Sequence, residues 1–160
     1  MPAPVTAGEF ALPRGSVAAR VVLAGGEAHA GEIYVAERVS HHSGPETPLE
    51  MLNREEPFFA FRPKDGHVLL IAKAATMAVE VHQAPMDDPT RRSVARAAPL
   101  EITLAGGDTL VGFALAELPE HHARPLDILN ASRDPFFAVD AGAATHFVNR
   151  AHVRFARPQE

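Results

Sequence analysis

The chain has 160 residues, with 15 Lys and Arg against 20 Asp and Glu for a net charge of −5, and 46% of it is hydrophobic. That is apolar material enough for one ordinary domain or two small ones, and it argues against wholesale disorder. The absence of cysteine excludes disulfides, thiol nucleophiles, thiolate zinc sites and Cys-ligated iron–sulfur clusters, and a mildly acidic chain is a poor general binder of nucleic acid or anionic lipid.

In chain order, residues 1–14 read as an N-terminal tail. They lack the basic start and apolar centre of a secretion signal, and no apolar run approaches the roughly 20 residues of a membrane-spanning helix, so a cytoplasmic location is expected. A first strand ends at Leu23-Ala24-Gly25-Gly26-Glu27, where paired glycines supply positive φ for a hairpin turn. The second strand runs through Ile33-Tyr34-Val35 and carries Gly31, which suits a sharp bend or bulge. After the polar stretch around His41-His42, Pro48-Leu49-Glu50-Met51-Leu52-Asn53 predicts one or two helical turns, with Asn53 in the left-handed conformation at the end. Pro57-Phe58-Phe59-Ala60 opens a third strand, and His67 to Val81 reads as two more, broken near Ala74-Ala75.

The same landmarks then return in the same order. Leu100, Ile102 and Leu104 alternate with Glu101 and Thr103, the period of a half-buried strand, and lead into Ala105-Gly106-Gly107-Asp108. Val111 to Leu115 carries Gly112; His121-His122 follows; then come Pro125-Leu126-Asp127-Ile128-Leu129-Asn130 and Pro135-Phe136-Phe137-Ala138. His146 to Ala156 holds the last two strands, broken near Arg150-Ala151. The chain is therefore read as two copies of one small unit, residues 15–82 and 98–158. They are joined by a linker over 83–97 that holds Pro85 and Pro89, and it alone is positive through Arg91, Arg92 and Arg96.

About five short strands and one helical turn per copy make the expected class all-β, with each copy a small barrel. The apolar strand, Gly-Gly turn, glycine-bent second strand and closing break at a basic residue resemble the Sm-like, SH3-type small barrel. The recurring Pro-Leu-(Glu/Asp)-x-Leu-Asn and Phe-Phe elements are similar to those of tandem bacterial Sm-like domains. The resemblance implies two tandem barrels. Members of that family that bind RNA use an Asp/Asn loop and a basic residue followed by glycine; here the second turn is Lys73-Ala74 or Arg150-Ala151, so RNA binding is not carried over.

Several groups merit attention as chemistry. The chain has nine histidines, and His41, His42, His121 and His122 occupy matching places. Imidazole pairs bind zinc, copper or nickel, but neighbours on an extended chain point apart, so a site needs a third ligand such as His29, Glu37 or Glu120. A solvated loop inherited by duplication is the plainer account. Arg92-x-x-x-Arg96, ahead of the second copy, resembles the opening motif of the PilZ barrel, which implies cyclic-dinucleotide binding; that family's Asp-x-Ser-x-x-Gly motif is missing between Phe113 and Ser132. Leu49, Leu52, Asn53, Phe58 and Phe59, with Leu126, Leu129, Asn130, Phe136 and Phe137, are the best-preserved segment between copies and are read as core packing. No Gly-rich phosphate loop, nucleophile elbow or His-Glu-x-x-His helix is present. The expectation is a non-catalytic binding or scaffolding protein without a cofactor, acting through protein partners or self-association at strand edges.

Overall fold

The two hairpins at the head of each copy set the architecture. In the computed structural model, which describes residues 14–37, 44–82, 95–118 and 124–159, β1 (Arg14–Leu23) turns through Gly25 and Gly26 into β2 (Ala28–Ala36). β6 (Ala95–Leu104) turns likewise into β7 (Thr109–Glu117). The Leu23 amide donates to the Glu27 carbonyl at 2.7 Å and the Leu104 amide to that of Asp108 at 2.8 Å. Gly25 and Gly26 both have positive φ, but in the second turn only Gly107 does; Gly106 does not need the freedom of glycine there. β6 starts at Ala95, inside the segment expected to be linker, and the rest of that linker lies outside the described residues.

Gly31 and Gly112 serve close approach. A Cβ on Gly31 would lie 2.0 Å from the Arg62 carbonyl oxygen, and one on Gly112 would lie 2.6 Å from that of Asp140. Each strand is crossed at its glycine by the strand that follows, β3 (Phe58–Pro63) or β8 (Phe136–Asp140).

Helix α1 (Pro48–Asn53) begins at a capping box: Thr47 Oγ1 accepts from the Glu50 amide at 3.1 Å, and Glu50 Oε1 accepts from the Thr47 amide at 2.8 Å. Helix α2 (Pro125–Leu129) has Arg124 at that position, paired to Asp127 at 2.8 Å. Both carry proline in the first turn, where its missing N–H costs nothing. The asparagines that follow are not left-handed, since no described residue other than glycine has positive φ. Asn53 uses its side chain instead, as described below.

β4 (Leu69–Ala72) and β5 (Thr76–Val81) are separated by a 3₁₀ turn at Lys73–Ala75; β9 (Thr145–Asn149) and β10 (Val153–Pro158) are separated by one at Arg150–His152. The ten strands form one antiparallel sheet in the order β10-β6-β7-β8-β9-β5-β1-β2-β3-β4. Among the described residues the protein is thus all-β with two short helices, as the periodicity predicts. The closed barrels expected of each copy are not seen: the fourth and fifth strands of a copy do not pair with each other. The ladder runs from one copy into the next and the sheet stays open, because the fourth strand of copy 2 takes the edge of β5. No helix among the described residues is long and apolar enough to cross a membrane.

Two apolar cores lie along this sheet, and they exchange residues. The first gathers Val21, Ile33, Met51, Leu52, Phe61 and Val79 of copy 1 around Phe136 and Phe147 of copy 2. The second gathers Leu100, Ile102, Ala114, Ile128, Phe137 and Val148 around Met77 of copy 1.

Candidate functional site: the strand joint and the two sheet ends

The joint between copies is the β5–β9 pairing, with Ala78 opposite Val148, Val79 opposite Phe147 and Glu80 opposite His146. Successive side chains on a strand face opposite ways. On β8 and β9, Phe137, Val139 and Val148 enter their own core, whereas Phe136, Ala138 and Phe147 enter the core of copy 1. Helix α1 packs over β8. There Asn53 Nδ2 donates to the Phe136 carbonyl at 3.1 Å and its Oδ1 accepts from the Phe136 amide at 2.9 Å. One carboxamide thus stands in for a strand neighbour and satisfies both backbone groups of a residue that is 1% exposed.

A second asparagine works in the opposite direction. Buried Asn149 donates to the carbonyls of Lys73 at 3.2 Å and Thr76 at 3.0 Å, and its Oδ1 accepts from the Ala151 amide at 2.9 Å. His152 Nε2 lies 2.8 Å from the Ala74 carbonyl oxygen. Each copy also ties its own helix to its own 3₁₀ turn with a cation. Lys73 Nζ donates to the carbonyls of Met51 and Arg54, both at 3.0 Å. Arg150 donates through Nε to Asp134 at 2.8 Å and through Nη1 to Leu129, while its guanidinium lies 4.9 Å from the Phe137 ring centre. A cation is favoured at the carbonyl end of a helix. Burial lowers the pKa of Lys73 against the opposing pull of Glu56 and Glu46, with Arg54 adding to the lowering. Burial also lowers the pKa of His146, more than neighbouring Glu80 restores it.

The joint has a counterpart that the described strands leave unfilled. Among the described residues, β4 and β10 each pair on one side only. The two copies match in register here: the Lys73 and Arg150 amides donate to the carbonyls of Pro57 and Pro135 at the same 2.8 Å, and Phe58 faces Ala72 as Phe136 faces Asn149. By that correspondence, the three side chains that copy 2 sends into copy 1, Phe136, Ala138 and Phe147, match Phe58, Ala60 and Leu70. Phe58 is 57% and Leu70 74% exposed. Beside Phe58 opens a hollow of about 330 Å³ lined by Tyr34, Met51, Ala60, Arg54 and Lys73 among others. At the other end, Leu126 is 64% and Phe155 48% exposed, where the matching Leu49 and Ala78 are covered at the joint.

The preserved segment therefore divides. Leu52, Phe59, Phe136 and Phe137 are buried, Leu49 and Leu129 partly so. Phe58 and Leu126 contradict the expectation of core packing: both are more than half exposed, and among the described residues no further strand pairs with β4 or β10. Asn53 bridges the copies, and Asn130 stands exposed. His41, His42, His121, His122 and Arg92 lie outside the described residues, and of Arg96 only the strand backbone is described. Among the described residues no three His, Asp or Glu side chains gather as a metal site; His29 contacts Glu27. Asn149 is not among the residues singled out above, yet it carries a signal in the sequence, since asparagine stands there where the other copy has Ala72. Comparison with models of known protein families, with curated proteins and with solved structures finds no match.

Proposed function

We propose that this protein is a non-catalytic assembly module of two Sm-like copies that binds other polypeptides by strand addition at its sheet ends, a second copy of the same chain first among them. Each copy contributes five strands in the order fifth-first-second-third-fourth, with a glycine-crossed second strand and a 3₁₀ turn before the last. That arrangement supports reading both as Sm-like units. The observation that carries the function is the asymmetry between one joint made and one left open. Copy 1 presents a fifth strand and copy 2 covers it with a fourth; the sheet of described strands ends on a fourth strand, β4, and a fifth strand, β10, of the same kinds.

Exposed strand edges that carry apolar side chains are templates for pairing, and Leu69, Leu70 and Phe155 mark both ends here. The cations near the hollow are spent on structure, Lys73 on helix carbonyls and Arg54 on Glu46 at 2.9 Å, which supports a packing role for that hollow over a chemical one. The test is light scattering on the purified full chain across a wide concentration range. Complexes of two or more chains that grow with concentration support the reading. A strictly monomeric chain at millimolar concentration defeats it.

A further inference from the structure

We infer that the hollow beside Phe58 is the seat of helix α2 from a second copy, and that Asn130 is the residue that keys it, clasping the Phe58 backbone as Asn53 clasps that of Phe136. The inference rests on the assembly reading above and specifies its contact. Asn53 is the last residue of α1 and Asn130 the residue that follows α2, the sixth position of each Pro-Leu-x-x-Leu-Asn segment, and Phe58 and Phe136 hold the same place at the start of matching strands. Within the chain one asparagine reaches one phenylalanine, by two hydrogen bonds of 2.9 and 3.1 Å. The remaining asparagine is exposed and its side chain bonds no other described residue; the remaining phenylalanine is more than half exposed.

The helices tell the same story. Helix α1 packs on its own β2 and across the joint on β8, while the main packing of α2 is on β6 and β7 of its own copy. Leu52 is fully buried where Leu129 is partly so, and Leu49 touches the first core where Leu126 points outward. Repeating the inner register places Phe155 opposite Ile71 of the second copy, Ala156 opposite its Leu70 and Arg157 opposite its Leu69, as Ala78, Val79 and Glu80 stand opposite Val148, Phe147 and His146. Such a contact uses two different surfaces, so copies add head to tail, into a ring if the rotation closes and an open chain if it does not.

The repeated joint is weaker than the one inside the chain, for a stated reason. Ala72 stands where Asn149 makes the second clasp, and Pro158 offers no N–H where Val81 has one. Restoring the missing amide as Ala72→Asn would let it donate to the Arg150 and Val153 carbonyls of a second copy, while its oxygen accepts locally from the Ala74 amide, as Asn149 does from Ala151.

The experiment compares full-length wild type, Asn130→Ala and Ala72→Asn by concentration-dependent light scattering, with thermal unfolding of each. Asn130→Ala is expected to weaken association by about tenfold, and Ala72→Asn to tighten it by about tenfold. If the wild type associates but neither variant changes its affinity, the clasp is wrong while the assembly reading stands. If the wild type never associates, both fall. Should Asn130→Ala unfold, Ala72→Asn still decides, because it demands a gain.

Discussion

The inner clasp can be removed at a single residue. In Asn53→Ala, the Phe136 amide and carbonyl lose their partners at 2.9 and 3.1 Å. Phe136 is 1% exposed, so water does not reach both groups without opening the joint. A neutral hydrogen bond contributes about 1 kcal/mol net, and a buried backbone group left without a partner costs about 1–3 kcal/mol, so the expected destabilisation is about 2–4 kcal/mol. Asn53→Asp is no rescue: it keeps an acceptor for the amide but turns a carboxylate oxygen toward the Phe136 carbonyl. Urea unfolding followed by circular dichroism should show a lower midpoint with an unchanged slope. The control is Asn130→Ala, run dilute enough to keep chains apart, which should fall within about 0.5 kcal/mol of wild type as an exposed substitution does. If Asn53→Ala also falls within that margin, the two bonds are not holding the copies together and the account of the joint is wrong.

Gly112→Ala should cost about 1–3 kcal/mol, because the added methyl meets the Asp140 carbonyl at 2.6 Å and the strands must part. Gly31→Ala, at 2.0 Å from the Arg62 carbonyl, should cost more; thermal unfolding would rank them. Phe136→Ala empties a site shared by both copies and should cost about 3–5 kcal/mol. Phe58→Ala, its counterpart, should cost the dilute monomer less than about 1 kcal/mol while weakening association in light scattering. Acid should loosen the joint through His146. Burial holds its pKa below the unfolded value, so the unfolded chain binds its proton first as pH falls. The stabilisation is therefore present above the unfolded pKa, is lost as pH drops through the folded one, and a His146→Gln variant should show a flatter fall in stability between neutral pH and pH 5.

Much of the fold is legible in the residues because its determinants are local. Gly25-Gly26 and Gly107 mark turns that need positive φ, Pro48 and Pro125 sit in helical first turns, and the alternation of Leu100, Ile102 and Leu104 states which face is covered. The expectation of a left-handed Asn53 fails because asparagine has two uses at a helix end, a backbone one and a side-chain one, and only the position of Phe136 chooses between them. The expectation for Phe58 and Leu126 fails for a related reason: an apolar residue need not be covered, since much of any folded surface is apolar, and only the three-dimensional neighbours decide.

What the sequence by itself determined is the recurrence of one set of landmarks, the all-β class, and the place of most described strands and turns and of both described helices, since these follow from spacing and from the backbone preferences of glycine and proline. Which strand meets which was decided only in three dimensions. The sequence of β9 places Phe147 on one face and Val148 on the other, but does not say whether its edge closes on its own copy or on β5. The Asn149 and Asn53 clasps and the exchange of Phe136 and Phe147 for Met77 favour the neighbouring copy, and these are contacts between residues far apart along the chain that no local pattern encodes.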